Sequence, residues 1–549
     1  MRTKTTTHVK AHVAIAMGLT DLGVDTMFGL IGDANLYMVD SFIRDFGGKY
    51  VSAANEAGTV LMALGYAQVS GRVGVATVTH GPALTNTLSA LVEGVKSSVP
   101  IVLLAGDTPV EDREHLQKIN QRELIMATGS GFEQLRAPAT LSQDIARVFR
   151  RAMLERRPVV LNMPVEFQWQ DVEYQKASVH LPEDRALVPS SAELDNAVGI
   201  IAAAKRPVVL AGRGAMQAEA KAAIVRLAER IEAPLATTLR GSGLFSGDPF
   251  NLGVCGTVAT AVGLETIMES DCIIAFGASL NKFTTAMGSL VKDKRVIQVN
   301  LERAEVGKNL EPDAGLVGDP GLTADTILHW LDEAEIPPSG FRTEELKRKI
   351  ASYTPERKGP GKPRAGTVDM RVALQKFNAA VPAERVFVTD AGRFIYESWA
   401  AFGVQHPRSF VYTVGFGAIG FGVGQAIGAA AAAEGRPTLL LSGDGGFMLG
   451  GLTEFYSAVR AKSDLIVIVC NDGSYGAEHI QFRNKNMDPA LSVLEWPDFA
   501  PIAESLGGAG VTVRTGDDLD SAVAAIKNRD RSRPLLIDLK LDPDCIPMH

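Results

Sequence analysis

Nine short apolar runs, most of them β-branched or Leu-rich, recur along the chain: RVGVATVT (72–79), PIVLLAG (100–106), PVVLNMP (158–164), PVVLAG (207–212), CIIAFGA (272–278), RVIQVNL (295–301), RVFVTDAG (385–392), TLLL (438–441) and LIVIVC (465–470). Longer stretches with helical patterning separate them. Continuous apolar runs, rather than strict alternation, predict strands buried on both faces. Alternation of such strands with helices predicts parallel sheets covered by helices, an α/β fold.

At 549 residues the chain is too long for a single hydrophobic core. Two polar segments read as linkers: YQKASVHLPEDRALVPSS (174–191), and PPSGFRTEELKRKIASYTPERKGPGKPRAG (337–366), whose end is rich in Lys, Pro and Gly. They predict three doubly wound parallel-sheet domains over 1–175, 190–335 and 365–549.

Composition narrows the class. The chain is 46% hydrophobic and 21% charged with a net charge of −8, and no long basic run marks a nucleic-acid partner. The N-terminus lacks the apolar segment of a signal peptide. The most apolar-looking stretch, GFGAIGFGVGQAIGAAAAA (415–433), is mostly Gly and Ala and reads as a closely packed loop and helix instead of a membrane span. Four widely spaced cysteines (Cys255, Cys272, Cys470, Cys545) read as reduced side chains of a cytoplasmic protein.

The candidate chemistry lies mainly near the C-terminal end. SGDGGF (442–447) and CNDGSYG (470–476) each follow a strand pattern, and residues 446–470 between them leave room for a crossover helix and a strand. Asp444 and Asp472 therefore fall at the carboxyl edge of neighbouring strands, where open α/β sheets bind ligands. Two carboxylates beside glycine-rich backbone suit a hard cation, such as Mg²⁺, that holds a diphosphate.

GDG, about 25 residues, then an Asn-Asn-like pair and YG resembles the diphosphate motif of thiamine diphosphate enzymes. That superfamily includes acetolactate synthase, pyruvate decarboxylase and benzoylformate decarboxylase. The resemblance implies pyrimidine-binding, central and diphosphate-binding domains in that order. It implies thiamine diphosphate and Mg²⁺ as cofactors, the metal held by Asp444, Asp472 (in place of the usual Asn) and the Ser474 carbonyl. Gly443, Gly445, Gly446, Phe447, Tyr475 and Gly476 would then line the diphosphate, with Gly392 of TDAGR lending amides. In GFGAIGFGVGQ, Ile419 matches the bulky residue that bends the cofactor, beside Gly417. Glu56, in AANEAGTVLMALGYAQ, matches the carboxyl group that hydrogen-bonds the aminopyrimidine ring.

For the middle segment, RPVVLAGRGA (206–215), a G-x-x-G-T loop (253–257), SDCIIAFGA (270–278) and VNLERAEVGKN (299–309) resemble the central domain of acetolactate-synthase-type enzymes. SLNKF (279–283) replaces the acidic-arginine stretch found near a flavin, which argues against FAD. Substrate-pocket candidates by resemblance are Asp33, His80, Gln121, Glu478 and His479. The adjacent pair of histidines of pyruvate decarboxylases has no counterpart in EHLQKINQRELI (114–125). The expected activity is a decarboxylase or carboligase acting on a 2-oxo acid through ylide addition and an enamine. Alternatives are C–C cleavage of an acyl-CoA or a dione, and more distantly a flavin or nicotinamide oxidoreductase. The expected assembly is at least a homodimer, with a homotetramer the form suggested by the resemblance.

Overall fold

The computed structural model describes residues 7–181, 187–189, 192–217, 220–355 and 361–547. Among the described residues, twenty strands run in chain order. β1 (Thr7–Lys10) pairs antiparallel with β8 (Asp171–Tyr174). Between them lie β2 (Thr26–Gly29), β3 (Lys49–Ser52), β4 (Gly74–Val78), β5 (Ile101–Asp107), β6 (Gly131–Gln134) and β7 (Val159–Pro164), in one parallel sheet of order β3-β2-β4-β5-β7-β6. A second parallel sheet holds β9 (Pro207–Ala211), β10 (Leu235–Thr237), β11 (Asn251–Val254), β12 (Cys272–Phe276), β13 (Arg295–Asn300) and β14 (Ala314–Val317), in the order β11-β10-β9-β12-β13-β14. The third holds β15 (Val386–Thr389), β16 (Phe410–Val411), β17 (Thr438–Gly443), β18 (Leu465–Asn471), β19 (Ala509–Val513) and β20 (Leu535–Lys540), in the order β16-β15-β17-β18-β20-β19.

Each sheet starts at an interior strand, steps outward one way and then returns to build the other way, which is the doubly wound pattern. Winding reverses between β2 and β4, between β9 and β12, and between β15 and β17. At such a reversal the loops diverge and leave a crevice at the carboxyl ends.

All nine apolar runs form strands, because their side chains are buried on both sheet faces; every residue of β4, β9, β12 and β18 is buried. Several strands have no such run to announce them. β3 is half polar and β10 and β16 are two or three residues long. The second linker segment also contains a helix, Glu344–Ser352, capped by the Thr343 side chain and seated by buried Leu346. Residues 356–360 of that segment, and 182–186, 190 and 191 of the first, lie outside the described residues.

The chain forms two compact units, one holding the first and third sheets and the other the central sheet. Within the first unit, helix Glu56–Ser70 packs directly on helix Gly422–Ala431. The approach is close because Gly65 faces the Gln425 carbonyl and Gly428 faces the Met62 carbonyl, with no room for a Cβ at either. This contact joins the two domains that carry the candidate residues.

Candidate active site

In the third sheet, β17 and β18 deliver Asp444 and Asp472 to adjacent strand ends. Both carboxylates are buried, at 2% and 6% exposure. Asp444 Oδ1 accepts from the Gly445 amide and its Oδ2 from the Gly473 amide, each at 2.9 Å. Asp472 Oδ1 accepts from the Ser474 amide and hydroxyl, also at 2.9 Å. Burial pushes both acids above the usual carboxylate range, and the Asp444 charge raises Asp472 further. The cation that opposes this at Asp472 is Arg393.

This donor set fits a divalent ion. Two desolvated carboxylates stand together, and the attraction of Arg393 does not offset their burial and mutual repulsion. No group of three or more His, Cys, Asp or Glu side chains among the described residues could hold a metal. Tyr475 lies against Gly445, where a Cβ would meet its ring at 2.7 Å, and a Cβ at Gly476 would stand 3.0 Å from Asp472 Oδ2. Bare backbone at these glycines leaves room for a ligand beside the carboxylates. Phe447 turns away into the core against Phe499 and Phe455, so its backbone alone lines the turn.

The Ile419 loop is fixed by two carboxylates to which the sequence reading gave no role. Asp390, at the end of β15, is fully desolvated and accepts from the amides of Ala391, Gly420 and Phe421 and from the Ser442 hydroxyl. Burial pushes it up to about 6. It binds the Ile419 loop to the strand that ends at Gly443. Glu93, 1% exposed on helix Leu88–Ser97, accepts from the amides of Gly415 and Phe416 at 3.0 and 2.7 Å. Between these anchors Gly417 and Gly420 take positive φ, and Ile419 is half-buried.

Glu478 and His479 open helix Gly476–Asn484. Glu478 is exposed. His479 is buried, with Nε2 3.0 Å from Asp544 and Nδ1 3.3 Å from the Ser492 hydroxyl. Arg393, next to Gly392, donates to the carbonyls of Pro543 and Ile546. His479 and Arg393 thus hold the C-terminal segment, and Arg393 also acts on Asp472, a role the spacing of the motifs gave no hint of.

The first sheet carries the other half of the constellation. Glu56 begins its helix, with Asn55 capping through the Ala57 amide, and its Oε2 accepts from Asn86 Nδ2 at 2.9 Å. Glu454, 2% exposed, reaches from the third-sheet domain to accept the amides of Ala54 and Asn55 at 3.2 and 2.9 Å. Asp33 follows β2 and His80 follows β4, on the two sides of the winding reversal. Asp33 Oδ1 lies 3.4 Å from His80 Nε2 and accepts from Thr79 at 3.0 Å. Gln121 is buried against the same turn. Its Oε1 accepts from the Gly81 amide and its Nε2 donates to the carbonyl of Gly106 and to Asn162. Gln121 therefore braces the His80 turn instead of presenting a free amide. No hydrogen bond or ion pair among the described residues joins Asp33 or His80 to Glu478 or His479.

Comparison with known proteins identifies this arrangement. Residues 9–124 match the thiamine pyrophosphate enzyme N-terminal TPP binding domain, 194–327 the central domain, and 390–539 the C-terminal TPP binding domain. A probable 2-ketoarginine decarboxylase, AruI, of Pseudomonas aeruginosa is 30% identical over 92% of this chain and 89% of its own. The chain belongs to the thiamine pyrophosphate enzyme family. This thiamine pyrophosphate enzyme is also 28% identical to a probable acetolactate synthase large subunit of Methanocaldococcus jannaschii, over 98% of this chain and 93% of that one. A sulfoacetaldehyde acetyltransferase of Alcaligenes xylosoxydans is 27% identical over 91% of the thiamine pyrophosphate enzyme and 87% of its own length. No helix among its described residues is long and apolar enough to cross a membrane.

Proposed function

We propose that the protein is a Mg²⁺- and thiamine diphosphate-dependent decarboxylase or carboligase acting on a 2-oxo acid. The observation that carries the reading is the pair of buried carboxylates, Asp444 and Asp472, at neighbouring strand ends, where burial and mutual repulsion outweigh the attraction of Arg393. They and the Ser474 carbonyl would hold a metal ion for the cofactor's diphosphate. When bound, the cofactor supplies a nucleophilic carbon for the 2-oxo group and takes up the electrons released as the adjacent C–C bond breaks. Glu56 would hold a proton at the cofactor's aminopyrimidine ring, Asn86 keeps its carboxylate in place, and Ile419 would pack against the cofactor. Asp33 and His80 face the substrate, with Gln121 holding the turn that carries His80; Glu478 approaches from the diphosphate side. The relatives named a decarboxylase, a synthase and an acetyltransferase support C–C bond cleavage at a carbonyl carbon as the shared chemistry.

The working unit we infer is a homodimer or a tetramer of such dimers, in the cytoplasm, with the first-sheet domain of one subunit facing the third-sheet domain of another. Exposed apolar side chains border both halves: Ile31 and Leu116 near Asp33 and His80, and Leu449, Leu491 and Val493 near Asp444 and Asp472. The deciding experiment is calorimetric binding of thiamine diphosphate with Mg²⁺, followed by CO₂ release across a panel of 2-oxo acids. Binding with release from at least one acid supports the reading; absence of cofactor binding ends it.

A further inference from the structure

Behind the two carboxylate turns lies a charged pair that the proposed chemistry does not use. Asp538, on β20, is fully buried, and Lys540 of the same strand is 8% exposed. Lys540 Nζ stands 2.8 Å from Asp538 and 3.0 Å from Asp498, which pairs with Arg514 at 2.6 Å. A buried ion pair is weak evidence of stability, since taking both charges out of water can outweigh their attraction. Its presence here has a positional explanation instead.

Asp538 Oδ1 accepts from Asn471 Nδ2 at 2.8 Å, and Oδ2 accepts from the Phe499 amide, also at 2.8 Å. Lys540 meets the oxygen that accepts from Phe499, which leaves Oδ1 to Asn471. Asn471 is the last residue of β18 and immediately precedes Asp472. The same neighbouring strand holds its backbone. Asn471 lies opposite Lys540 in the β18–β20 ladder, and its carbonyl accepts from the Leu541 amide at 2.8 Å. Phe499 opens helix Phe499–Ser505, and its ring packs on Phe447 of the Asp444 turn, centroids 5.3 Å apart. One carboxylate thus reaches the back of both turns, directly at Asn471 and through the Phe499 ring at Phe447.

We propose that Asp538 is a positioning residue for the metal site: through Asn471 it fixes the direction in which Asp472 leaves β18. The proposal rests on the metal and cofactor reading of Asp444 and Asp472. Asp538 is not itself a ligand, because Asn471, Phe499 and Lys540 take its oxygens. Metal affinity depends on how firmly each ligand is held by its own partners. In the turn after β18, the Gly473 amide donates to Asp444 and the Ser474 amide to Asp472. Movement at Asn471 passes into both bonds, because only Asp472 separates it from Gly473.

The test uses Asn471→Ala, Asp538→Asn and the double variant. In Asp538→Asn the remaining oxygen stays with Phe499 and Lys540, so an amide donor faces the Asn471 donor and that bond is lost. Hydrogen exchange is first followed by mass spectrometry in the full chain without metal or cofactor. Each single variant should speed exchange at Gly473 and Ser474 about tenfold and leave the buried strand β12 unchanged. Calorimetry then gives the Mg²⁺ concentration for half-maximal thiamine diphosphate binding, which should rise about tenfold in each single variant. Because Asp538 acts through Asn471, the double variant should be no worse than the weaker single one. Unchanged exchange at Gly473 and Ser474, Mg²⁺ titrations that match wild type, or losses that multiply in the double variant would each overturn the proposal. Exchange that rises equally in β12 would also overturn it, since that marks a loss of general stability. Should Asp538→Asn fail to fold, Asn471→Ala decides alone by the same exchange and titration readouts. If exchange responds as expected but wild-type protein binds no thiamine diphosphate, the cofactor reading fails while the hold of Asp538 on the Asp472 turn stands.

Discussion

The residues that matter most here are carboxylates whose surroundings differ. Glu56 is only half-buried and is held by one neutral amide, Asn86. Glu56→Gln should lower kcat by about 10²-fold or more while thiamine diphosphate still binds, because the amide cannot accept and return the ring proton. Steady-state turnover beside calorimetric affinity checks this, and unchanged turnover removes Glu56 from the mechanism. Asp472 stands where the family pattern has Asn. Asp472→Asn removes one charge from the metal site, so the variant should need several-fold more Mg²⁺ for half-maximal cofactor binding; superimposable titrations would dismiss the argument.

The pH dependence of the metal-free protein follows from the same pair. Asp444, Asp472 and Asp390 are all raised in the folded chain, mainly by burial. The folded state then keeps protons that the unfolded chain releases, so stability falls as pH rises from the ordinary carboxylate range towards neutrality. Mg²⁺ requires the ionised forms, so its affinity should rise over the same interval. Thermal melts of metal-free protein at stepped pH, with Mg²⁺ calorimetry alongside, measure both slopes. Melting points that climb over that interval would contradict the assignment.

Among the elements, the contact of helix Glu56–Ser70 with helix Gly422–Ala431 sets the geometry of one half-site against the loop of the other. Gly65 and Gly428 permit it, since a Cβ at either would overlap a carbonyl of the facing helix. Backbone cannot rotate aside as a side chain can. Gly65→Ala should therefore cost about 1–3 kcal/mol or more, seen as a lower urea midpoint. Ala at Gly199, inside helix Ala192–Ala203 where a Cβ meets nothing within 4 Å, is the control and should hold or raise the midpoint. Equal midpoints for the two variants would show that the helices can separate at little cost. Glu454 and Glu93 reinforce the contact, each accepting backbone amides from the opposite domain.

For the whole molecule, the proposed assembly places Glu56 and Asp444 of one chain in different active sites. Variants Glu56→Gln and Asp444→Ala, each inactive alone, should regain activity when unfolded together and refolded in equal amounts. Random pairing makes half of the dimers mixed, and each mixed dimer has one intact site, which gives about a quarter of wild-type activity. No recovery would place both groups in one chain's site.

The interior strands and the acidic, glycine-rich turns after β17 and β18 were legible in the sequence because their signals are local. Burial on both faces imposes an unbroken apolar run, and Asp444 and Asp472 follow directly where two such runs end. The edge strands β3 and β16 and the interior strand β10 gave no such signal, being short or half polar. Glu344–Ser352 was hidden in a polar segment because only Leu346 among its residues is buried.

What the sequence determined by itself was the fold class, the order of the domains and the residues at the strand ends, since periodicity and spacing are properties of neighbouring positions. Tertiary structure alone decided which groups meet across distance. It brought His115 to His80, gave Asp390 and Glu93 the backbone of the Ile419 loop, turned Gln121 inward as a brace and set His479 on Asp544. Those pairings depend on where chain reversals place groups 30 to 323 residues apart, and no local pattern encodes that.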